Sequence, residues 1–300
     1  MKGTRLRLVS WNVHGTPTAP RVEERLAAIA GVIAALEPDL VLLQEVWRWR
    51  DAEALEKTLA PRGFRVVSLP SGGVWIRRSG LLAFVRSATG WHAEAEGFHE
   101  FRAEAPAWKI WEGDGFGDKG VQSFTLADEG MALRVLNTHL QAAYEPGGYA
   151  EVRRAQLVEL RAVAEAEPTL PVLVAGDFNT TPDEPGWQEL RGFRDLAAPL
   201  RESCRCGTTV SSAEPSQWID HLLARLPRGW RIRARVSLLR SDRPDVPYSD
   251  HHGLEAVLHI APPAPPVVHG ALEALAALGL AGPATRREFL AWLGALAAGA

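Results

Sequence analysis

The sequence contains little cysteine, little lysine and no long apolar run. Its only thiols, Cys204 and Cys206, stand one residue apart, a spacing poorly suited to a structural disulfide, so we expect two reduced thiols there. No second cysteine pair completes a zinc site. No apolar run in the chain is long enough to span a membrane, and the first residues lack the apolar segment of a signal peptide. We therefore expect a cytoplasmic protein with no integral membrane association.

An excess of charge of one sign is also missing. The 300 residues carry 33 Lys and Arg against 36 Asp and Glu, which gives a net charge of −3. The surface as a whole therefore does not attract a polyanion, although a local basic patch is enough to bind nucleic acid. Hydrophobic residues make up 46% of the chain, as in an ordinary globular protein. A length of 300 residues allows one large α/β domain or two average ones.

Short apolar runs and helical patterns share most of the chain. Val22, Leu26, Ile29, Ile33 and Leu36 recur at steps of three and four, which predicts one face of a helix. Residues 151–166 predict a second helix. The predicted strands are residues 5–13, 40–43, 81–85, 121–126, 133–139, a run from 172, 217–223, 232–238 and 254–260. Because βαβ units alternate with runs of adjacent strands, we expect mixed sheets flanked by helices.

Polar side chains stand where many of these strands end. Asp177 and Asn179 follow the apolar run that starts at Val172, and their spacing puts both on the same side of an extended chain. The full set is Asn12, Glu45, His139, Asp177, Asn179, Asp220, Asp250 and His251. Each alone is typical of a turn or of the solvent-facing surface. Together they indicate a site, because the strands of one sheet can bring their ends to a single rim.

The chemistry of this set is coherent. The oxygen-bearing side chains of Asn12, Glu45 and Asp250 suit Mg²⁺, with Mn²⁺ or Ca²⁺ as alternatives, and do not suit zinc. The two histidines and the remaining carboxylates can transfer protons. No serine or cysteine with a partner base stands out, so we expect water to be the nucleophile. A hard cation, amides, histidines and an activated water predict hydrolysis of a phosphoester.

Six short segments carry a family resemblance. In chain order they are SWNVHG at 10–15, LQEV at 43–46, NTH at 137–139, GDFN at 176–179, ID at 219–220 and YSDH at 248–251. Their order resembles that of the endonuclease/exonuclease/phosphatase superfamily. The resemblance implies a DNase I-like fold, a four-layer α/β sandwich of two mixed β-sheets flanked by helices, with residues 1–261 as the catalytic domain. It also implies a divalent-metal-dependent phosphoester hydrolase.

The resemblance implies roles around the metal and the water. Glu45 would be the principal metal ligand, with Asn12 beside it and Asp250 as an additional ligand. Asp177 would orient or deprotonate the attacking water. Asn179 would hold the same water or the phosphate.

The resemblance also implies roles for the histidines. His251 would face the scissile phosphorus, and Asp220 would orient its ring. His139 matches branches of the superfamily that place a second histidine against the phosphate. The general base is either Asp177 or His251.

Further segments bear on the substrate. Residues 79–82, 118–121, 138–141 and 153–157 resemble the neutral sphingomyelinase-like branch, in which Lys119 would bind the substrate. We therefore expect a small or lipid-derived phosphodiester as substrate. The alternatives are a metal-dependent nuclease acting on DNA or RNA and a non-catalytic scaffold. An irregular insertion predicted at residues 91–117 holds Trp108, Trp111 and Phe116, which either line a head-group or nucleobase pocket or pack the domain.

Residues 262–300 form a separate segment. They begin with a proline-rich linker. Residues 285–288, Thr-Arg-Arg-Glu, have the capping-box pattern that opens a helix, and apolar residues follow at helical spacing. We expect a helical hairpin tail with one apolar face, packed on the domain, on a second subunit or on a membrane surface.

Overall fold

A computed structural model describes residues 3–67, 79–104, 118–143, 148–204, 206–210, 216–241 and 248–263. In chain order its elements are β1 (Thr4–Asn12), α1 (Val22–Leu36), β2 (Leu40–Gln44), α2 (Trp49–Leu59), β3 (Phe64–Val67), β4 (Leu82–Arg86), β5 (His92–Glu100), β6 (Gly120–Asp128), β7 (Met131–His139), α3 (Ala150–Glu165), β8 (Val172–Asp177), β9 (Arg194–Asp195), α4 (Ala198–Cys204), β10 (Asp220–Arg225), β11 (Arg231–Leu239) and β12 (Gly253–Ala261). No helix among these residues is long and apolar enough to cross a membrane.

The strands form two mixed sheets of six. The first has the order β11-β12-β1-β2-β4-β3, and the second has the order β5-β6-β7-β8-β10-β9. Each sheet has one parallel pair, β1 with β2 and β7 with β8, and its other pairs are antiparallel. A parallel pair needs a long crossover connection, and α1 and α3 supply it. The expectation of mixed sheets is confirmed.

Apolar clusters separate four layers. Successive strand residues point to opposite faces, so Leu8 of β1 lies in the cluster between the sheets, while its neighbour Val9 faces outward. On that outer face Ile29 of α1 packs against the first sheet. Leu160 of α3 covers the outer face of the second sheet. The order helix, sheet, sheet, helix confirms the predicted four-layer α/β sandwich.

The prediction of an irregular insertion is wrong in part. Residues 91–117 were expected to form an irregular insertion, but residues 92–100 form β5. This strand lies at the edge of its sheet and is exposed on both faces, so its sequence has no apolar alternation. A register shift between Glu94 and Gly97 interrupts its period as well. Trp108, Trp111, Phe116 and nearly all of the tail at 262–300 lie outside the described residues.

The expectation for the cysteines is also wrong. Cys204 and Cys206 form a disulfide, and their Cα atoms lie 5.2 Å apart. Cys204 is the last residue of α4. The chain leaves the helix there and brings Cys206 into the Cα separation that a disulfide requires. The short sequence spacing therefore does not prevent the bond at this helix end.

Candidate active site

The predicted site residues gather at one rim of the sandwich. Asn12 ends β1, and Asp177 ends β8. His139 and Asp220 stand directly opposite Asp177 on the neighbouring strands β7 and β10. Gly176 makes this approach possible, because its φ is +148° and a Cβ there would lie 1.9 Å from the carbonyl oxygen of Thr138. Only glycine fits that position.

Asn12 joins the two sheets at the rim. Its Nδ2 donates to Oε1 of Glu45 at 3.0 Å and to Oδ2 of Asp177 at 2.9 Å. Its Oδ1 accepts the backbone N–H of His14 at 3.0 Å. As placed, Asn12 presents nitrogen to both carboxylates, so the predicted ligand role requires the amide to be turned over.

Glu45 follows β2 with a left-handed backbone, φ 62°. This conformation costs energy for a non-glycine residue and is concentrated at functional sites. Its Oε2 is buried and has no hydrogen-bond partner among the described residues. Burial, together with the nearby carboxylate of Asp250, raises the pKa of Glu45. The side chain therefore carries an oxygen for which the described part of the chain supplies no hydrogen-bond donor.

Asp177, His251 and Asp220 form a buried row. Asp220 Oδ2 lies 2.7 Å from His251 Nδ1, and His251 Nε2 lies 3.7 Å from Asp177 Oδ2. Burial by itself lowers the pKa of His251, but the carboxylates of Asp220 and Asp177 outweigh it and hold that pKa well above the ordinary value. Burial raises the pKa of Asp177 to about 7 against the opposing effect of His251. Asp220 thus fixes the ring so that Nε2 faces Asp177.

His139 and Lys119 form a second buried pair on the other side of Asp177. Lys119 Nζ lies 3.0 Å from His139 Nε2, which in turn is 3.6 Å from Asp177 Oδ2. Burial, with the cations Lys119 and His251, lowers the pKa of His139 well below its ordinary value. His139 is therefore neutral, and its Nε2 accepts a hydrogen bond from Lys119 Nζ.

Two predicted members lie at the margins. Asn179 has φ 49°, donates from Nδ2 to the carbonyl of Leu140 at 3.0 Å, and gives its backbone N–H to Asp177 Oδ1 at 2.9 Å. The side chain of Asp250 is 46% exposed and lies 3.4 Å from His14 Nδ1. Asp250 therefore belongs to the open mouth of the site, while Asn179 shapes its floor.

Sequence reasoning missed a buried arginine that organises the site loops. Arg25 on α1 donates to the backbone carbonyls of Val13, His14, Pro20 and Tyr248. These carbonyls belong to the loop after β1 and to the segment that precedes Asp250 and His251. An arginine in a helical pattern usually indicates a solvent-facing position. The periodicity of α1 therefore gave no sign that Arg25 is buried.

Three further contacts, which were not predicted, hold the histidine segment and Asp220. Trp11 Nε1 donates to the carbonyl of His251 at 3.0 Å, and Ser249 Oγ donates to the carbonyl of Asn12 at 2.7 Å. Thr208 Oγ1 accepts the backbone N–H of Asp220 at 3.1 Å. The serine belongs to the segment YSDH, which is the one signal that could have suggested it.

Two groups of side chains at the rim could hold a cation. Asp177, Asp220 and His251 have ligand atoms within 4.8 Å of one another, but the 2.7 Å contact already pairs two of them. Glu45 instead offers a buried oxygen that no described residue contacts by a hydrogen bond, beside the amide of Asn12. The donor set around Glu45 therefore fits a hard cation better.

The geometry matches a known family. Residues 9–251 match the sequence profile of the Endonuclease/Exonuclease/phosphatase family. The chain belongs to this family. It is accordingly a phosphoesterase, with the DNase I-like fold expected from its motifs.

Two named proteins are similar in sequence. Human sphingomyelin phosphodiesterase 2 is 26% identical over 298 residues, which cover 90% of this chain and 69% of that protein. Inositol phosphosphingolipids phospholipase C of Schizosaccharomyces pombe is 25% identical over 192 residues, covering 60% of this chain and 42% of that protein.

A solved structure shares the fold. D. rerio TDP2, crystallised with a single strand DNA product, has a TM-score of 0.69 at 19% identity and covers 85% of this chain and 99% of its own.

Proposed function

We propose that this phosphoesterase is a divalent-metal-dependent phosphodiesterase that cleaves a small or lipid-derived phosphodiester by attack of water on phosphorus. The observation that carries the proposal is the buried Oε2 of Glu45, which has no partner in the described part of the chain. It lies next to a carboxylate–histidine row that can move a proton. A site with both features suits phosphoester hydrolysis by water.

The cation would be held by Glu45 first, with Asn12 and Asp250 beside it. This oxygen set suits Mg²⁺, or Mn²⁺ or Ca²⁺. When bound, the ion supplies Lewis-acid polarisation of a phosphoryl oxygen.

The Asp177–His251 pair takes the proton that the attacking water loses. Asp220, 2.7 Å from His251 Nδ1, keeps Nε2 directed toward the site, so Asp220 is a positioning residue. As the new oxygen–phosphorus bond forms, the bond from phosphorus to the ester oxygen breaks. The ester oxygen leaves with the electron pair and takes up the proton held by the Asp177–His251 pair. Proton transfer by a positioned side chain typically accelerates a reaction by a factor of about a hundred to ten thousand.

Lys119 and His139 bind the phosphate. Lys119 brings a positive charge next to His139, at 3.0 Å, and both side chains are buried. Asn179 adds an amide at the floor of the site. Hydrogen bonds and charge in such a water-poor environment stabilise the oxygen charge that builds up during attack.

The substrate class is supported by charge and by similarity. A compact phosphodiester needs one or two cations, and the Lys119 position supplies one, whereas a long nucleic acid requires several phosphate contacts. The net charge of the chain is −3. The human relative carries the name sphingomyelin phosphodiesterase 2, which agrees with a lipid-derived phosphodiester.

Hydrolysis of bis-p-nitrophenyl phosphate tests the proposal. Wild-type protein should require a divalent cation and lose activity in EDTA. Glu45→Gln keeps the shape but removes the ligand charge, so turnover should fall steeply and the cation concentration required should rise. Glu129→Gln, in the exposed turn between β6 and β7, is the matched control and should behave as wild type. Full turnover in excess chelator would refute the metal requirement.

A nuclease is the second candidate, because the fold is shared with D. rerio TDP2, whose structure contains a single strand DNA product. Purified protein would then degrade plasmid or oligonucleotide rapidly in Mg²⁺ or Ca²⁺. That activity would be lost in Glu45→Gln and would fall steeply with salt. Such a result would replace the lipid-derived substrate with nucleic acid.

A further inference from the structure

One outward sheet face carries a cluster of basic side chains far from the catalytic residues. Four arginines and a histidine share the outer face of β11, β12 and β1, and all are exposed. We call them the cationic face: Arg5, Arg231, Arg233, Arg235 and His259. Three members, Arg231, Arg233 and His259, line a surface depression together with Gly3 and Ala261.

Strand register brings these residues together. Arg233 pairs with His259, and His259 pairs with Arg5, so the three lie side by side across three strands. Arg231 and Arg235 stand two positions to either side along β11. With ~3.3 Å per residue and ~4.8 Å between strands, the face spans about 13 Å by 10 Å at the backbone. The intervening Ile232 points into the core.

The charges of the cationic face are not neutralised locally. Among the described residues, none of its five members forms an ion pair, although Arg7 on the same face is paired with Glu255. Charged side chains on an edge strand can serve to prevent strand pairing. That explanation covers β11 but not Arg5 and His259, which lie on the inner strands β1 and β12.

The sequence beyond β12 suggests which anion approaches this face. Ala261 ends β12 and lines the same depression, so residues 262–300 start there. Those residues contain only four charged side chains, Glu273, Arg286, Arg287 and Glu288, which cancel. A sequence rich in Leu and Ala that follows a strand region with exposed arginines is a composition found in proteins that lie on anionic membranes.

We infer that the cationic face docks on an anionic lipid surface, with its arginines against headgroup phosphates. The contact is electrostatic and peripheral. It is independent of the substrate, since it concerns binding alone and uses no residue of the catalytic site.

Vesicle binding tests this inference with the full-length chain. Vesicles of phosphatidylcholine alone are compared with vesicles of phosphatidylcholine and phosphatidylserine, by co-sedimentation in low and high salt. The variant is Arg233→Gln with Arg235→Gln. The matched control is Arg62→Gln with Arg65→Gln, two exposed arginines at the other end of the same sheet. Hydrolysis of bis-p-nitrophenyl phosphate reports folding of each protein and should be unchanged.

Wild type should bind only the vesicles with phosphatidylserine, and salt should release it. The Arg233/Arg235 variant should bind roughly thirtyfold more weakly, at about fivefold per arginine near an anionic membrane. The Arg62/Arg65 control should bind as wild type. Equal binding to both vesicles, no binding, or equal loss in both variants would overturn the inference. Binding of a single-stranded oligonucleotide through Arg233 and Arg235, without vesicle binding, would also overturn it and assign the face to nucleic acid.

Discussion

His221 allows a quantitative test of how the floor of the site is held. Its ring is fully buried, with Nε2 3.0 Å from the carbonyl oxygen of Thr180. It packs on Trp187 at a centroid distance of 4.4 Å and on Phe178 at 5.2 Å. Burial lowers the pKa of His221 from 6.5 to about 4. The folded protein therefore keeps this histidine neutral where the unfolded chain would protonate it.

The sign of the effect on stability follows from this difference. Above the pKa of His221 in the unfolded chain, its ring is neutral in both the folded and the unfolded protein. Its contribution to the free energy of unfolding is then fully present. As the pH falls below 6.5, His221 of the unfolded chain becomes protonated, whereas in the folded protein it becomes protonated only near pH 4. The free energy of unfolding therefore decreases over this range. The loss is roughly 2 kcal/mol at about pH 5 and on the order of 3 kcal/mol once the folded pKa is passed.

The perturbation is His221→Gln, which keeps an amide N–H for Thr180 but does not titrate. Urea unfolding at about pH 7.5 and about pH 5 gives the free energy of unfolding of each protein. Wild type should lose roughly 2 kcal/mol more than the variant over this interval. His92→Gln, on an exposed histidine of β5, is the control and should follow wild type. Parallel pH dependence in wild type and His221→Gln would refute the reasoning.

Three other perturbations address the catalytic proposal. Asp220→Asn should lower kcat by a factor of roughly ten to a thousand and move the pH–rate profile to lower pH, because Asp220 raises the pKa of His251; an unmoved profile would contradict the orienting role. Lys119→Ala should raise the KM for a phosphodiester more than the Mg²⁺ concentration for half-maximal activity, since Lys119 contacts His139; equal increases would contradict a substrate role. Removal of residues 262–300 should leave turnover of a soluble phosphodiester unchanged, and a folded but inactive product would place the tail in the site.

The sequence predicts which side chains lie together at the rim because these residues stand at strand ends. Asn12 and Asp177 each follow a buried apolar run, and such a run is visible as an alternating or continuous pattern. The order of the motifs then relates the separate ends to one rim. The same reasoning places α1 with the bounds found in the structure.

The features that escaped prediction lack a periodic signal. The short strand β3 was missed, and β5 is an exposed edge strand, so neither has a strong apolar pattern. Arg25 lies on a helix whose pattern indicates only which residues are apolar, and its contacts come from distant loops. The bond between Cys204 and Cys206 depends on where α4 ends, which the spacing does not contain.

The position of Asn12 gives a physical reason to expect a cation at the site. It bridges Glu45 from the first sheet and Asp177 from the second, so packing between the sheets brings two buried carboxylates together. Burial raises the pKa of both, which means that the protein groups alone do not compensate two negative charges. A neutral amide offsets only part of this cost. The cations Lys119 and His251 offset another part, yet the pKa of both carboxyl groups stays raised. A divalent cation at Glu45 would add the positive charge that compensates them.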